Sequence, residues 1–261
     1  DVLDASLAQS RPRYLAYIGS SGLEVGALAD LLAHSYDINL ALDARGATQL
    51  ENRAIAWLAQ FLGFPATAGS FTSGGTISNI TALAAARERA LPGSRATGMG
   101  DRRVALYCSA EAHYSVTRAA ELLGIGKDNV RPVPIDVRRR MSTPDLARMI
   151  DADTAAGITP IAVVATAGTT LTGAVDPIDA IADVCEAHGL WLHVDAAMSG
   201  SAAVVPELRF VNDGLNRVDS YCFDPHKWLF TNFDCDCFFV ADRSALIGAL
   251  SGAVVAHAGI G

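Results

Sequence analysis

Lysine is nearly absent from this chain: only two lysines, Lys127 and Lys227, stand among its twenty basic residues. No apolar stretch approaches the roughly 20 residues that span a bilayer, and no basic-then-apolar signal pattern opens the sequence, so a cytoplasmic protein with no membrane partner is expected. The five cysteines at 108, 185, 222, 235 and 237 form no regular framework. Buried, reduced thiols are therefore expected rather than disulfides. Cys235-Asp236-Cys237 lacks the spacing and the second pair of a zinc site, and no metal is expected there. Excess positive charge is lacking as well. The formal net charge of -8, with arginines scattered among acids, excludes an extended nucleic-acid surface. The short run Arg138-Arg139-Arg140 reads as a solvated turn before the next helix.

What is present is apolar and periodic. A hydrophobic fraction of 51% over 261 residues fits one large domain, or one and a half, with a well-buried core. Near the start, Glu24 to His34 reads as a helix introduced by the loop Gly19-Ser20-Ser21-Gly22. Thr48-Gln49-Leu50-Glu51 has the pattern of a capping box, and a second helix is expected from Leu50 to Leu62. These first sixty-odd residues look like an arm that packs on something else. From Thr72 onward, strands expected at Val104-Cys108, Val130-Ile135, Ile161-Ala165, Leu190-Val194 and Ser220-Phe223 alternate with helices at Tyr114-Leu123, Thr143-Asp153 and Pro177-His188. That alternation implies a largely parallel α/β sheet covered on both faces, with functional residues at the carboxyl ends of strands. Pro92-Gly100 is the expected surface loop.

The motifs fall at those ends. Ser73-Gly74-Gly75-Thr76 precedes an Ala- and Leu-rich helix, Ile77 to Arg89. Backbone N–H groups at such a helix start can bind a phosphate, although a plain glycine turn capped by Thr76 or Ser78 fits the same residues. Asp195-Ala196-Ala197 closes the strand Leu190-Val194, where a carboxylate could hold a pyridine nitrogen protonated or serve as a cap. His113 follows another strand and could stack on a flat ring or make a structural hydrogen bond. Ala165-Thr166-Ala167-Gly168-Thr169-Thr170 brings hydroxyls to the same edge. Lys227, in Asp224-Pro225-His226-Lys227-Trp228, follows the apolar run Ser220-Phe223. The chemistry that needs lysine and cannot use arginine is imine formation, because an amine can lose its proton. Taken together, a phosphate cradle, a stacking His, a pyridinium partner and an imine-forming Lys describe a site for pyridoxal 5'-phosphate.

On the motifs Thr72-Ser73-Gly74-Gly75-Thr76, Ala112-His113-Tyr114-Ser115, Ala165-Thr166-Ala167-Gly168-Thr169-Thr170, His193-Val194-Asp195-Ala196-Ala197 and Asp224-Pro225-His226-Lys227-Trp228, the sequence resembles the group II pyridoxal-phosphate-dependent amino-acid decarboxylases. The resemblance implies the aspartate-aminotransferase-like large domain of fold type I, with a mostly parallel seven-stranded sheet between helices. It implies a division into residues 1–66 as a helical dimerisation arm and 67–261 as the cofactor-binding domain, with a C-terminal small domain absent from this chain. Lys227 would carry the internal aldimine, Asp195 would pair with the pyridine nitrogen, and His113 and Ala197 would flank the ring. Gly75 and Thr76 would hold the phosphate with His226 and Asp224 nearby, and Thr166 would approach the ring substituents.

The resemblance also implies loss of the α-carboxylate of an L-amino acid as carbon dioxide through a quinonoid intermediate. The alternatives are an aldehyde synthase or other lyase on the same fold, or a truncated scaffold without catalysis. A homodimer is expected, with Tyr17, Ile18 and Ser20 lining the substrate pocket. Many relatives have Asn where this chain has Asp224, and a carboxylate beside a phosphate is repelled unless it turns away or is protonated. Met198 stands where aromatic-specific members often have Tyr, and Asp37-Ile38-Asn39 makes a wall more polar than theirs. An aromatic substrate is slightly favoured.

Overall fold

The computed structural model describes residues 14, 18–39 and 44–250. The chain runs through α1 (Glu24–Tyr36), α2 (Gly46–Leu62), β1 (Ala68–Thr72), α3 (Gly75–Ala90), a single turn α4 (Ser94–Thr97), β2 (Val104–Ser109) and α5 (Ser115–Leu122). It continues through β3 (Val130–Val133), α6 (Thr143–Ala155), β4 (Thr159–Thr166), α7 (Ile178–His188) and β5 (Trp191–Asp195). After a stretch of 3-10 turns come β6 (Ser220–Phe223), α8 (Pro225–Trp228), β7 (Asp236–Val240) and α9 (Arg243–Leu250).

The seven strands form one sheet in the order β1-β7-β6-β5-β4-β2-β3. From β3 to β6 all neighbours are parallel, and β7 pairs antiparallel with both β6 and β1. Only β7 runs against the rest. Strands β2, β5 and β6 are buried along their whole length, and β4 from Ile161 onward. This is why they read as continuous apolar runs rather than as alternations. One apolar cluster covers each face, the first built on Tyr107, Val163, Leu192 and Phe239, the second on Leu106, Val164, Trp191 and Phe238. Alternate residues of the same strands thus feed opposite cores.

Helix α2 packs Ile55, Ala59 and Leu62 inward at helical spacing. It ends at Gly63, whose φ of 74° lets its N–H cap the carbonyls of Ala59 and Gln60. The helix begins at Gly46, so Thr48 lies within the first turn and not at the cap position that its pattern suggested. Helix α1 differs: none of its residues is buried. It is tied to the loop after α8 by Leu23 N–H donating to the Phe230 carbonyl and by Asn232 Nδ2 donating to Asp30.

Differences from the sequence reading have local causes. Strand β3 stops at Val133 because Pro134 has no N–H to give, although Ile135 still bridges Met141. Residues 136–140 form the expected turn, held by Asp136 accepting the N–H groups of Arg138 and Arg140. The loop 92–100 contains the single turn α4. Strands β1 and β7 and helix α9 had no counterpart in the alternating pattern.

Candidate active site

Five strands deliver their carboxyl ends to one edge of the sheet: β1 to Gly74-Gly75, β2 to His113, β4 to Thr166, β5 to Asp195, and β6 to Asp224 and α8. The reversed strand β7 begins at that same edge, where Asp236 is in register with Thr72. A cavity of about 390 Å³ opens there. It brings together ten of the residues singled out from the sequence: Ile18, Gly75, Thr76, His113, Thr166, Asp195, Ala197, Asp224, His226 and Lys227. Ser20 sits beside it and donates through its hydroxyl to the His226 carbonyl at 3.2 Å. Tyr17 lies outside the described residues. Lys127, the other lysine, is exposed in the turn 127–129.

Asp195 is buried and held from two sides. Its Oδ1 accepts the Ala197 N–H at 3.1 Å, and its Oδ2 accepts Asn79 Nδ2 at 2.9 Å. Behind it runs a buried hydrogen-bond chain whose direction is set by the donor and acceptor inventory of its members. The indole N–H of Trp191 can only donate, so Ser220 Oγ accepts it at 2.8 Å and turns its own hydrogen to His193 Nδ1 at 2.9 Å. Burial lowers the His193 pKa to about 4, which keeps the ring neutral and Nδ1 an acceptor. Its Nε2–H then donates to Asn79 Oδ1 at 2.9 Å. The second hydrogen of Asn79 Nδ2 goes to Ser115 Oγ at 2.9 Å. Ser115 in turn donates to His113 Nδ1 at 2.8 Å, and the same nitrogen accepts the Ser115 N–H at 3.3 Å. The proton of a neutral His113 is thereby assigned to Nε2. Burial lowers the His113 pKa, with Lys227 adding to that direction and Asp195 and Asp224 opposing it.

Lys227 lies on the one-turn helix α8, which Pro225 opens at its first position. Its Nζ is 2.6 Å from Asp224 Oδ2. His226 Nε2 is 3.6 Å from the same oxygen, while its Nδ1 lies 2.7 Å from the Cys235 carbonyl, which orients the ring. Thr166 is fixed through its backbone: Asp176, buried below it, accepts the N–H groups of Thr166 and Met141 at 2.8 and 2.7 Å.

Two polar residues of this edge, Asn79 and Asp236, escaped the motifs, and Ser115 was in one without a role. Asn79 and Ser115 join Asp195 to His113, and Asp236 adjoins Asp224. Asn79 had a signal, since an amide on the Ala-rich face of a buried helix requires buried partners. Asp236 had none, because it opens a strand that runs against the pattern. Among the described residues, no helix is long and apolar enough to cross a membrane and no group of His, Cys, Asp or Glu could hold a metal ion.

Known proteins resemble this chain over nearly its whole length. The family model described as the pyridoxal-dependent decarboxylase conserved domain matches residues 6–255. The chain is 37% identical over 265 residues to cysteine sulfinic acid decarboxylase of Rattus norvegicus, covering 98% of this chain and 52% of that protein. It is 37% identical over 257 residues to tryptophan decarboxylase 1 of Oryza sativa subsp. japonica, covering 92% and 50%. The crystal structure of mouse CSAD superposes with a TM-score of 0.89 at 36% identity, covering 95% of this chain and 53% of that one. The chain spans about half the length of the curated relatives it matches. Its α/β sheet has the fold type I arrangement of these structures.

Proposed function

Because the chain belongs to the pyridoxal-dependent decarboxylase family, we propose that it forms the cofactor-binding half of a pyridoxal-phosphate-dependent carboxy-lyase acting on an L-amino acid. The observation that carries this reading is the convergence of Lys227, Asp195, His113 and the Gly75-Thr76 helix start on one cavity. The residues fit the cofactor. Thr166 Oγ1 is buried at the cavity without a protein partner, a hydroxyl left for a ligand to satisfy. At Gly75 a Cβ would stand 3.4 Å from that of Ala197, so glycine keeps the helix start accessible.

When bound, pyridoxal phosphate supplies an electron sink for the pair left at Cα as the carboxylate departs as carbon dioxide. Lys227 would hold the cofactor's aldehyde carbon through Nζ, which must first give up a proton. Asp195, fixed by Asn79 and the Ala197 N–H, would keep a proton on the ring nitrogen. The first N–H groups of α3, at Gly75 and Thr76, have no intrahelical partner and would bind the phosphate at the positive end of the helix, with His226 and Asp224 beside them. His113, neutral and carrying its proton on Nε2, would pack on one face of the ring and Ala197 on the other.

The cavity walls Ile18, Ile77, Met198 and Phe233 are apolar, and among the described residues no arginine lines it. This lining supports an apolar or aromatic substrate side chain over an acidic one. Ile18 is the substrate contact that the described residues support, with Ser20 behind it. A homodimer is part of the same reading, supported by the apolar face of α1 that nothing among the described residues covers. Cysteines that are all free support a cytoplasmic setting.

The test uses the full-length protein with pyridoxal phosphate and a panel of L-amino acids. Expected are carbon dioxide and amine from an aromatic member, and an absorbance band in the visible range that Lys227→Ala removes together with activity, by on the order of 10³-fold or more. Borohydride reduction followed by peptide mapping is expected to mark Lys227. Label on Lys127, or no carbon dioxide from any amino acid, would overturn the reading, and aldehyde with ammonia and peroxide in place of amine would make the protein an aldehyde synthase.

A further inference from the structure

Two carboxyl groups meet under the cavity. Asp224 ends the link after β6, and Asp236 opens the reversed strand β7; both are buried, at 3% and 0% exposure. Asp236 Oδ1 accepts hydrogen bonds from the hydroxyls of Thr72 and Ser78. Asp224 Oδ2 faces Lys227 Nζ at 2.6 Å and His226 Nε2 at 3.6 Å. Each carboxyl keeps one buried oxygen without a partner, Asp224 Oδ1 and Asp236 Oδ2. The antiparallel register of Phe223 with Cys237 sets Asp224 and Asp236 side by side, where a hydrogen bond between them would satisfy both oxygens. Two ionised carboxylates cannot make that bond, since both only accept. Buried side by side, both ionised, they would repel each other nearly unscreened.

We propose that Asp224 and Asp236 share a single proton, so that the pair bordering the cavity carries one negative charge, matched by Lys227. One proton between the carboxyls gives the orphaned oxygens a hydrogen bond and removes the repulsion in the same step. The surrounding groups agree. Thr72 on β1 and Ser78 on α3 are neutral hydroxyls, and Cys222 on β6 is a thiol whose ionisation burial opposes. Cys237, next along β7, is likewise held neutral by burial. Cys235 sits beyond His226, and Asp195 and His113 stand across the cavity. Lys227 is the one lysine or arginine paired to either carboxyl among the described residues. Burial, and then contact with Asp224, push the Asp236 carboxyl well above the usual range, which places the proton on the Asp236 side.

The consequence for the site rests on the proposed function. A carboxylate at position 224 beside a phosphate is tolerable when its neighbour is protonated and Lys227 offsets the remaining charge. Asp236 is thus a positioning residue: it sets the charge of Asp224, which holds Lys227.

The test compares Asp236→Asn with the unsubstituted full-length protein as purified. Asn reproduces a protonated carboxyl, with an N–H for Asp224 and an oxygen for Thr72 and Ser78. In the unsubstituted protein Asp236 keeps its proton in the fold at pH values where the unfolded chain has lost it. Rising pH therefore weakens that fold by up to about tenfold in the unfolding constant per unit. Denaturant titrations are expected to show the advantage of Asp236→Asn growing steadily from pH 5 to pH 7. A difference that stays flat across that range overturns the proposal. Infrared spectroscopy of the unsubstituted protein at pH 8 decides the matter even if the variant does not fold: a carboxylic-acid carbonyl band that disappears on unfolding is expected, and its absence overturns the proposal. Asp176, raised to about 6, does not contribute at that pH. A colourless preparation would count against the cofactor assignment and leave both readouts intact.

Discussion

Asn79 organises the site at the scale of single side chains. Its amide donates to Asp195 and Ser115 and accepts from His193, so one side chain sets the orientation of Asp195 and the proton position of His113. Asn79→Leu keeps the approximate volume, leaves Asp195 Oδ2 and the His193 N–H unsatisfied in the core, and takes from Ser115 the donor that fixes its hydroxyl toward His113. A stability loss of about 2–4 kcal/mol is expected in urea titrations. The ¹⁵N spectrum of His113 is expected to show a mixture of tautomers in place of one. Asp176 gives a separate pH signature. Burial raises its pKa to about 6 despite two backbone N–H donors. Between the unfolded value near 3.8 and the folded value near 6, the native state holds a proton that the unfolded chain has lost. The stabilisation is complete below about pH 4 and gone above about pH 6, on the order of 3 kcal/mol across the window. Asp176→Ala is expected to reduce the slope of thermal melts between pH 4 and 6 by that contribution, leaving the part due to Asp236, at a lower overall melting temperature, because the N–H groups of Thr166 and Met141 lose their acceptor.

Helix α1 is the element whose own contacts explain it least. Leu28, Leu31, Leu32 and Tyr36 are all more than 60% exposed. Gly26 faces Asn232, whose Oδ1 would stand 3.0 Å from a Cβ there. The helix thus meets its own chain through a glycine and leaves its apolar residues outward, as an interface element does. With a second copy as the proposed cover, Leu28→Glu combined with Leu32→Glu is expected to convert the full-length protein from dimer to monomer at micromolar concentration in sedimentation velocity. A dimer that persists would remove this face from the interface. Both helices were legible in sequence, but the inward face of α2 was not: the helical repeat of Leu50, Ala54 and Leu58 pointed one residue away from Ile55 and Ala59, and Leu50 is 66% exposed. Strand β1 was not legible. Ala68-Gly69-Ser70-Phe71-Thr72 shows neither alternation nor an apolar run, and Gly69 is required by crowding: a Cβ there would lie 2.7 Å from Ile55 Cγ2 and 2.8 Å from the Phe238 carbonyl oxygen. That constraint arises from the packing of α2 on the sheet and leaves no local mark.

For the whole molecule, one sheet edge collects the chemistry. The motif residues were readable because strand ends in a parallel sheet place successive functional groups along one line, and Thr76, His113, Asp195 and Lys227 each follow such an end. Asp236 was hidden because β7 is reversed, so the start of that strand reaches the same edge. The cysteines offer a test of the assembled sheet. Cys108, Cys185, Cys222 and Cys237 are buried in the two cores, and burial raises their pKa values, to about 12 for Cys108 and Cys185. Cys235 is only partly buried, and a hydrogen bond from Cys237 lowers its pKa. Thiolate is the reactive form, so a native titration with an aromatic disulfide reagent at neutral pH is expected to label Cys235 rapidly and the other four only on unfolding. Because Cys235 holds His226 through its backbone carbonyl at the cavity, added pyridoxal phosphate is expected to slow that single fast reaction. Cys235→Ser should remove the fast phase and leave the four slow thiols reacting together in urea, as they must if the two cores flanking the sheet open as one cooperative unit.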